Sequence, residues 1–248
     1  MLNKTHTKYI QSLHHKKFRD EYGVFIAEGP KVVLELLDSR EFVCLQLFAV
    51  NDWLQNNEII LKKYSGAAVI AVEDFELEKF SLLTTPNKVL AIFKKKSEAE
   101  PENIKGKITL VLDAIQDPGN LGTIIRTADW FGIENIVCSP ACADMYNPKV
   151  VQSTMGSLAR VNIFYSGLTN WLHENNAVKK FAAALDGKNI STLKNIKEAI
   201  IIIGNEGKGI SDDVMKLVDE KITISKIGEA ESLNAAVATG IILAQLTN

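Results

Sequence analysis

The sequence has few of the features that mark secreted, membrane or metal-binding proteins. Its 248 residues contain only three cysteines, an odd number, so thiols in a reducing compartment are expected rather than disulfides. No H-x-x-x-H or C-x-x-C pattern suggests a metal site. No run of about 18 apolar residues is present, and the N-terminus has no apolar segment ahead of a cleavage site. The sequence therefore predicts a cytoplasmic protein without a membrane span or a metal.

The common nucleotide-binding signatures are missing too. No G-x-G-x-x-G follows the first strand of the C-terminal half, which argues against a dinucleotide-binding domain. The glycine-rich stretch at 204–211, G-N-E-G-K-G-I-S, does not match the phosphate-binding pattern G-x-x-x-x-G-K-[ST], which argues against a nucleoside triphosphatase. The net charge of −2 does not indicate a nucleic-acid binder.

The N-terminal 19 residues depart from that even charge balance. They hold no acidic residue and five basic ones: Lys4, Lys8, Lys16, Lys17 and Arg19. Such an arm can follow a phosphate backbone, and it can equally be a solvated helix face. Composition alone leaves both interpretations open.

What the sequence does contain is an alternation of strands and helices in two regions. Residues 1–97 predict a small α/β domain with strands at 42–50, 67–72 and 89–93 and helices at 52–63 and after Glu28-Gly29-Pro30. Residues 98–107 are charged, with proline and glycine, and predict a linker. Residues 108–248 alternate regularly, which predicts a mostly parallel sheet covered by helices on both faces.

The predicted boundaries in the C-terminal region are as follows. Strands are expected at 108–115, 133–139, 160–165, 180–185, 200–203 and 221–225. Helices are expected at 121–131, 147–158, 168–175, 212–218 and 233–246.

One strand and loop stand out in this region. Ile200 to Ile203 run without alternation, as in a strand buried on both faces. Gly204 ends the strand, a glycine-rich loop follows, and Ser211 is a candidate N-cap for the next helix. Strand, glycine loop and helix can build a ligand site at the carboxyl edge of a sheet, or an ordinary crossover without a ligand.

Two further segments carry unusual polar residues. Pro118-Gly119 predicts a turn, Asn120 is a candidate N-cap, and Arg126 lies off the buried stripe of the helix that follows. An arginine there is an ordinary surface residue or a functional one. Ser232 and Asn234 flank Leu233 at the start of an apolar helix, where Ser232 could simply be the N-cap.

Together these segments resemble a known family. N-x-G-x-x-x-R-T-A at 120–128, G-N-E-G-x-G-I-S at 204–211 and S-L-N at 232–234 resemble the three motifs of the SpoU group of RNA ribose 2'-O-methyltransferases, in the SPOUT superfamily. The resemblance covers 108–248. Residues 18–37 are similar to the family's ribosomal-protein L30e-like substrate-binding domain. One departure is that the family usually has proline after the isoleucine at 224, where this chain has Ser225.

The resemblance implies a deep trefoil knot and bound S-adenosyl-L-methionine. The cofactor-binding residues that it implies are Gly204, Asn205, Glu206, Gly207, Ile224 and Leu233. Glycine at 204 would let the backbone approach the cofactor, so a side chain there would occupy space that the cofactor needs.

The resemblance also implies a set of catalytic residues: Arg126, Asn120, Ser232 and Asn234. Arg126, from the other subunit of a homodimer formed through the C-terminal domain, would deprotonate the ribose hydroxyl or clamp a phosphate. Asn120 would orient Arg126 or the ribose, while Ser232 and Asn234 would bind near the methyl donor and the target nucleotide.

The implied substrate is RNA, ribosomal RNA in preference to transfer RNA. Two alternatives remain at this point. One is an RNA-binding protein of the same fold without catalysis, and the other is a small-molecule-binding α/β domain.

Overall fold

The computed structural model describes residues 4–39, 41–62, 66–97, 100, 104–193 and 196–247. The chain forms two compact units, Met1–Ser97 with Tyr146–Ala159, and Glu98–Met145 with Arg160–Asn248. The predicted division at 98–107 stays a prediction, and five residues of that stretch, at 98, 99 and 101–103, lie outside the described part. No helix among the described residues is long and apolar enough to cross a membrane.

The first unit is built on a four-stranded mixed sheet. Its elements are α1 (Lys4–Ser12), α2 (Lys16–Tyr22), β1 (Val24–Glu28), α3 (Pro30–Asp38), β2 (Cys44–Ala49), α4 (Asn51–Asn56), α5 (Glu58–Lys62), β3 (Ala68–Ala71), α6 (Asp74–Glu78) and β4 (Val89–Lys94). The strand order is β1-β4-β2-β3, in which only β2 and β3 are parallel. The three strands predicted here are confirmed, and β1 was not predicted.

Two predictions for the first unit are wrong. The helix expected at 52–63 is two helices, because the chain leaves the helical conformation at Asn57, whose Nδ2 donates to the Trp53 carbonyl at 2.8 Å. Arg19, counted in the exposed basic arm, is only 1% exposed. Its Nη1 donates to the carbonyls of Leu13 and His14 at 3.0 and 2.9 Å, so it holds the end of α1 instead.

A later piece of chain completes the first unit. Helix α8 (Pro148–Thr154) packs on β1, and the Tyr146 ring lies 4.8 Å from the Phe25 ring. Gly156 has φ of +98°, and a side chain there would collide with Cβ of Glu35 on α3 at 2.5 Å. Both the positive φ and the close approach require glycine.

The second unit contains a parallel sheet. Its elements are β5 (Ile108–Asp113), α7 (Pro118–Trp130), β6 (Asn135–Cys138), β7 (Asn162–Tyr165), α9 (Leu168–Glu174), β8 (Lys180–Asn189), β9 (Ala199–Gly204), α10 (Asp212–Met215), β10 (Glu220–Thr223) and α11 (Ala235–Thr247). All its strand pairs are parallel, in the order β10-β8-β9-β5-β6-β7. The predicted α/β class and parallel sheet are confirmed.

The centre of this sheet brings together the segments that the sequence singled out. Ile200 to Ile203 are at most 2% exposed, as a strand buried on both faces requires. Strand β9 pairs with β5 so that Gly204 lies beside Asp113 at the carboxyl ends of the two strands. The loops that follow β5 and β9 therefore start side by side, and α11 packs on α7 in the same unit.

Candidate active site

The glycine-rich loop after β9 is fastened to the end of β5. Asp113 accepts a hydrogen bond from the Ser211 N–H at 2.8 Å, and Asn205 Nδ2 donates to the Ala114 carbonyl at 2.9 Å. Ala114 itself has φ of +56°, an unusual conformation for a residue with a side chain. The end of β5 thus holds the loop at two points, at Asn205 and at Ser211.

Asn205 forms its hydrogen bonds within this loop and to the end of β5. Its Oδ1 accepts from the N–H groups of Gly207 and Lys208 at 2.9 and 3.1 Å, and its backbone forms a bridge with Gly209. Because its amide is committed on both sides, Asn205 shapes the loop. Its backbone N–H and C=O are bonded to Gly209 as well, and its expected contact with a cofactor stays a prediction.

Gly204 is required for a different reason from the one predicted. A Cβ at this position would lie 2.5 Å from the Ile210 nitrogen, so any side chain would push the loop backbone away. A side chain at Gly204 would therefore act first on the loop, and the expectation that it would occupy cofactor space stays a prediction. Gly207 differs, since a Cβ there would meet only Asn205 Oδ1 at 3.6 Å, an ordinary contact.

A large cavity lies at this edge of the sheet. Its volume is about 670 Å³, within the range of small-molecule sites. We call it the edge cavity, and its lining comprises residues 183–185, 203–210, 215, 222–228, 230–233, 235, 238 and 242. All six residues predicted to bind the cofactor line it: Gly204, Asn205, Glu206, Gly207, Ile224 and Leu233. Ser232 lines it as well.

One wall of the edge cavity was not predicted from the sequence. The predicted strand ended at Leu185, whereas β8 runs to Asn189. Its pairing with β10 jumps from Ala182 to Lys188, and residues 183–185 of the skipped stretch line the cavity. The dipeptide Asp186-Gly187, typical of a break in a strand, was the available signal.

The segment after β10 is largely exposed and irregular from 224 to 234. Ser225, found where the family usually has proline, accepts a hydrogen bond from Asn189 Nδ2 at 2.5 Å. The Oδ1 of Asn189 also accepts from the Ser191 N–H at 2.9 Å. A side-chain tether therefore restrains the segment at the position where a proline ring would stiffen it.

Asn120 is not the N-cap of its helix. Helix α7 begins at Pro118, and the cap is Asp117, whose Oδ1 accepts from the Asn120 N–H at 2.8 Å. The side chain of Asn120 is free to reach elsewhere. Its Nδ2 donates to Glu206, and its Oδ1 accepts from Asn234 Nδ2 at 2.8 Å. The structure thus brings one residue of each motif into direct contact.

The third motif contains the cap of α11, but the capping residue is Asn234. Its Oδ1 accepts from the N–H groups of Ala236 and Val237 at 2.9 and 3.3 Å. The alternative interpretation of Ser232 as N-cap is therefore wrong, because the helix begins at Ala235. Ser232 is left exposed at the edge cavity.

Arg126 does not join this group within one chain. It is exposed on α7, as predicted, and it is not among the described residues that line the edge cavity. It lies instead in a shallow cavity of about 440 Å³ with Thr123, Thr127, Trp130, Phe131 and Gly240. Trp130 beside it is 83% exposed.

A perturbed thiol was not foreseen from the sequence. Cys142 follows β6, and hydrogen bonds from the Cys138 side chain, Ser139 and the Ile115 N–H lower its pKa to about 7 against the effect of burial. None of the three cysteines forms a disulfide. Among the described residues, no group of three histidine, cysteine or acidic side chains could hold a metal ion.

Family models match both parts of the chain. Residues 107–244 match the SpoU rRNA Methylase family, and residues 4–91 match the MRM3-like substrate binding domain.

Curated relatives and solved structures agree with these matches. A 23S rRNA (guanosine(2553)-2'-O)-methyltransferase of Bacillus subtilis is 30% identical over 95% of this chain and 93% of its own length. A structure of a TrmH-family protein from Porphyromonas gingivalis has a TM-score of 0.85 and 36% identity, covering 99% of this chain and 98% of its own. The structure of an AdoMet-bound rRNA methyltransferase from Sinorhizobium meliloti has a TM-score of 0.86 and 29% identity, covering 99% and 95%.

Three motifs that meet at one sheet edge, a family model over more than half of the chain, and a full-length relative at 30% identity lead to one assignment. The chain belongs to the SpoU rRNA Methylase family.

Proposed function

We propose that this protein transfers a methyl group from S-adenosyl-L-methionine to a ribose 2'-hydroxyl of ribosomal RNA. The observation that carries the proposal is the meeting of Asn120, Glu206 and Asn234 beside the edge cavity. A relative that matches almost the whole chain is named as a 23S rRNA 2'-O-methyltransferase, which favours ribosomal over transfer RNA. An AdoMet-bound relative of the same fold supports the cofactor.

The edge cavity suits S-adenosylmethionine in size and in chemistry. Ile224 and Leu233 offer apolar surface for an adenine ring, and the backbone of the loop at Gly204 supplies hydrogen-bonding groups for the polar part. Glu206 offers a carboxylate that can accept from an amino group or a hydroxyl. When bound, the cofactor supplies an electrophilic methyl group.

Arg126 is the residue that we assign to the RNA. A guanidinium presents several donors in a rigid fork and can grip a phosphate in two places. Held in this way, the neighbouring ribose hydroxyl would be oriented for reaction, a contribution of position that needs no proton transfer to arginine. Ser232, exposed at the edge cavity, is placed to hydrogen-bond the target nucleotide or the cofactor.

We further propose a homodimer through α7 and α11. The two helices pack together and leave apolar side chains exposed: Trp130 is 83% exposed, Val237 51% and Ile241 40%. Exposed apolar patches of this kind mark interaction surfaces. Arg126 lies on the same helix as Trp130 and away from the edge cavity of its own chain. In a homodimer it would reach the edge cavity of the second copy.

The trefoil knot and the L30e-like character of the first unit are also proposals. The knot is supported by the order of the chain, in which the long segment 224–234 leaves β10 and returns as α11 onto α7. A role of the first unit in binding RNA is supported by its match to a substrate-binding domain and by the exposed Lys4, Lys8, Lys16 and Lys17. We keep the cytoplasm as the proposed compartment.

The test is labelling of RNA. Purified protein with isotopically labelled S-adenosylmethionine should label ribosomal RNA, and mapping of ribose methylation should find one site that disappears when the protein is absent from cells. Labelling of transfer RNA alone would overturn the substrate. Tight RNA binding without any methyl transfer would favour the non-catalytic alternative.

A further inference from the structure

The three motifs are joined by hydrogen bonds that all run in one direction. The backbone N–H groups at the start of α11 donate to Oδ1 of Asn234. Asn234 Nδ2 then donates to Oδ1 of Asn120 at 2.8 Å. Asn120 Nδ2 donates in turn to Oε1 of Glu206. The chain of bonds therefore runs from a helix N-terminus through two amides to a carboxylate.

This direction is forced by the groups at the two ends. Backbone N–H groups only donate, and an ionised carboxylate only accepts. Each amide between them consequently has one orientation that pairs every donor with an acceptor. Turning either amide over would set two donors or two acceptors face to face, which is costly beside a partly buried site.

Only the last member of this chain of bonds reaches the edge cavity. Glu206 lines it, whereas Asn120 and Asn234 do not belong to the described lining. Both amides already use their oxygens, Asn120 for Asn234 and Asn234 for the helix. The second oxygen of Glu206, Oε2, accepts no hydrogen bond from the described residues and is available to a ligand donor.

We propose that Asn120 and Asn234 are positioning residues that act through Glu206 and do not themselves contact the ribose. They fix the Glu206 carboxylate so that one oxygen is held by the protein and the other accepts from an amino group or hydroxyl of the bound cofactor. The inference rests on the proposed function, since it takes the edge cavity as the cofactor site. It changes the roles expected for Asn120 and Asn234 from the family resemblance.

The pairing of donors with acceptors can be tested by exchanging the amide of Asn120 with the carboxylate of Glu206. In Asn120→Asp, two carboxylates would face each other, and affinity for S-adenosylmethionine should fall about tenfold at pH 8. In Glu206→Gln, the amide oxygen would take the bond from Asn120 and turn an N–H toward the ligand donor, which should also cost about tenfold.

The double variant, Asn120→Asp with Glu206→Gln, should bind more tightly than either single variant. The introduced aspartate would accept from Asn234 and from the side-chain N–H of the introduced glutamine, whose oxygen would again face the ligand. Dissociation constants from calorimetry decide the matter. If the two residues act independently, the losses multiply to about a hundredfold, and that result would overturn the proposal.

A pH series gives a second test. Asn120→Asp should regain affinity between pH 8 and pH 6, because two facing carboxylates share a proton more readily than one alone. A loss that does not vary with pH would contradict the arrangement. Asn170→Asp on α9 and Glu229→Gln, both exposed and outside the cavity lining, make the same charge changes as controls.

Two measurements keep the outcomes apart. If the wild-type protein does not bind S-adenosylmethionine, the proposed cofactor site fails. If it binds and the double variant is no better than the singles, only the positioning role fails. If Asn120→Asp lowers the melting temperature, the double variant should melt at a higher temperature than Asn120→Asp alone, because its donors and acceptors are paired again.

Discussion

One carboxylate in each unit is held by neighbouring donors, yet the two lie in different surroundings. Glu28 in the first unit accepts from the Ser81 hydroxyl and from the Leu82 N–H, so both of its oxygens have protein partners, and it is 7% exposed. Glu206 in the second unit accepts from Asn120 with one oxygen and lines the edge cavity. A hydrogen-bonded acid therefore does not mark a site by itself. A carboxylate oxygen that lines a cavity and has no partner among the described residues is the better indication of a site.

The comparison predicts that changes at the sheet edge of the second unit alter binding or chemistry, whereas a change at Glu28 alters stability alone.

Arg126→Ala should reduce turnover by about a hundredfold or more and leave affinity for S-adenosylmethionine unchanged, because the arginine acts on the RNA. Arg126→Lys should recover little, since lysine keeps the charge and loses the planar fork. Methylation rates and calorimetry measure both effects. Normal turnover in the alanine variant would reduce Arg126 to a surface residue.

A mixed dimer sharpens the same prediction. One subunit carries Arg126→Ala and the other carries Gly204→Val. If each site takes its arginine from the opposite subunit, one of the two composite sites keeps both parts and about half of the activity should survive. Complete loss of activity in this heterodimer, with both lesions confirmed by mass, would exclude a shared site. A monomeric mass at micromolar concentration with full activity would exclude the dimer itself.

Gly204→Ala should weaken S-adenosylmethionine binding at least about tenfold and lower the free energy of unfolding by about 1–3 kcal/mol, since the added methyl group displaces the loop backbone. Gly207→Ala is the matched control, because a Cβ there makes only an ordinary contact. Equal losses in the two variants would mean that crowding at Gly204 is not the cause. Calorimetry and denaturant unfolding provide the two quantities.

Glu28→Gln tests the first unit. Burial raises the pKa of the Glu28 carboxyl, against its hydrogen bonds from Ser81 and Leu82. A raised pKa in the folded state gives stability that is present below the unfolded pKa of about 4.3 and is lost as pH rises through the folded value. The glutamine variant has no carboxyl to ionise, so its free energy of unfolding should fall less than that of wild type between pH 4 and pH 8. Unfolding curves at both pH values check this, and methylation should not change.

Ser225→Ala should have the smallest effect. It removes the acceptor for Asn189 and keeps the bond from the Ser191 N–H to Asn189 intact. Loss of an exposed hydrogen bond of this kind should weaken S-adenosylmethionine binding by about threefold. Asn189→Ala in the Ser225→Ala background should then add little further loss of affinity. Full additivity of the two losses would contradict the tether.

The sequence predicted best where one pattern allows one structure. Ile200 to Ile203 can only be buried on both faces, so the central strand and the parallel sheet followed. The loop residues at 204–207 were singled out because their motif is contiguous along the chain, and they line the edge cavity. Asn120 and Asn234 were singled out as well. Their hydrogen bonds were not predicted, because each joins residues more than 80 positions apart in the chain.

The misses have physical reasons of the same kind. Asp117 and Asn120 are both good N-caps, and only the position of Pro118 within the first turn decides between them. Arg19 was counted as exposed because a charged side chain is usually solvated. The fold instead surrounds it with the carbonyls of Leu13 and His14, which accept its hydrogen bonds. The wall formed by residues 183–185 depends on a jump in strand pairing, which periodicity does not encode.

Helix α8 has a consequence for how this protein can be divided or recombined. Tyr146–Ala159 belongs by its contacts to the first unit, although it lies far along the chain from the rest of that unit. A fragment that ends before residue 104 would lack α8, which packs on β1, and would leave Phe25 without the Tyr146 ring. Exchange of the first unit between relatives would likewise have to carry both stretches of sequence. The two units therefore cannot be exchanged as two continuous segments, because the first unit is built from two separate stretches of the chain.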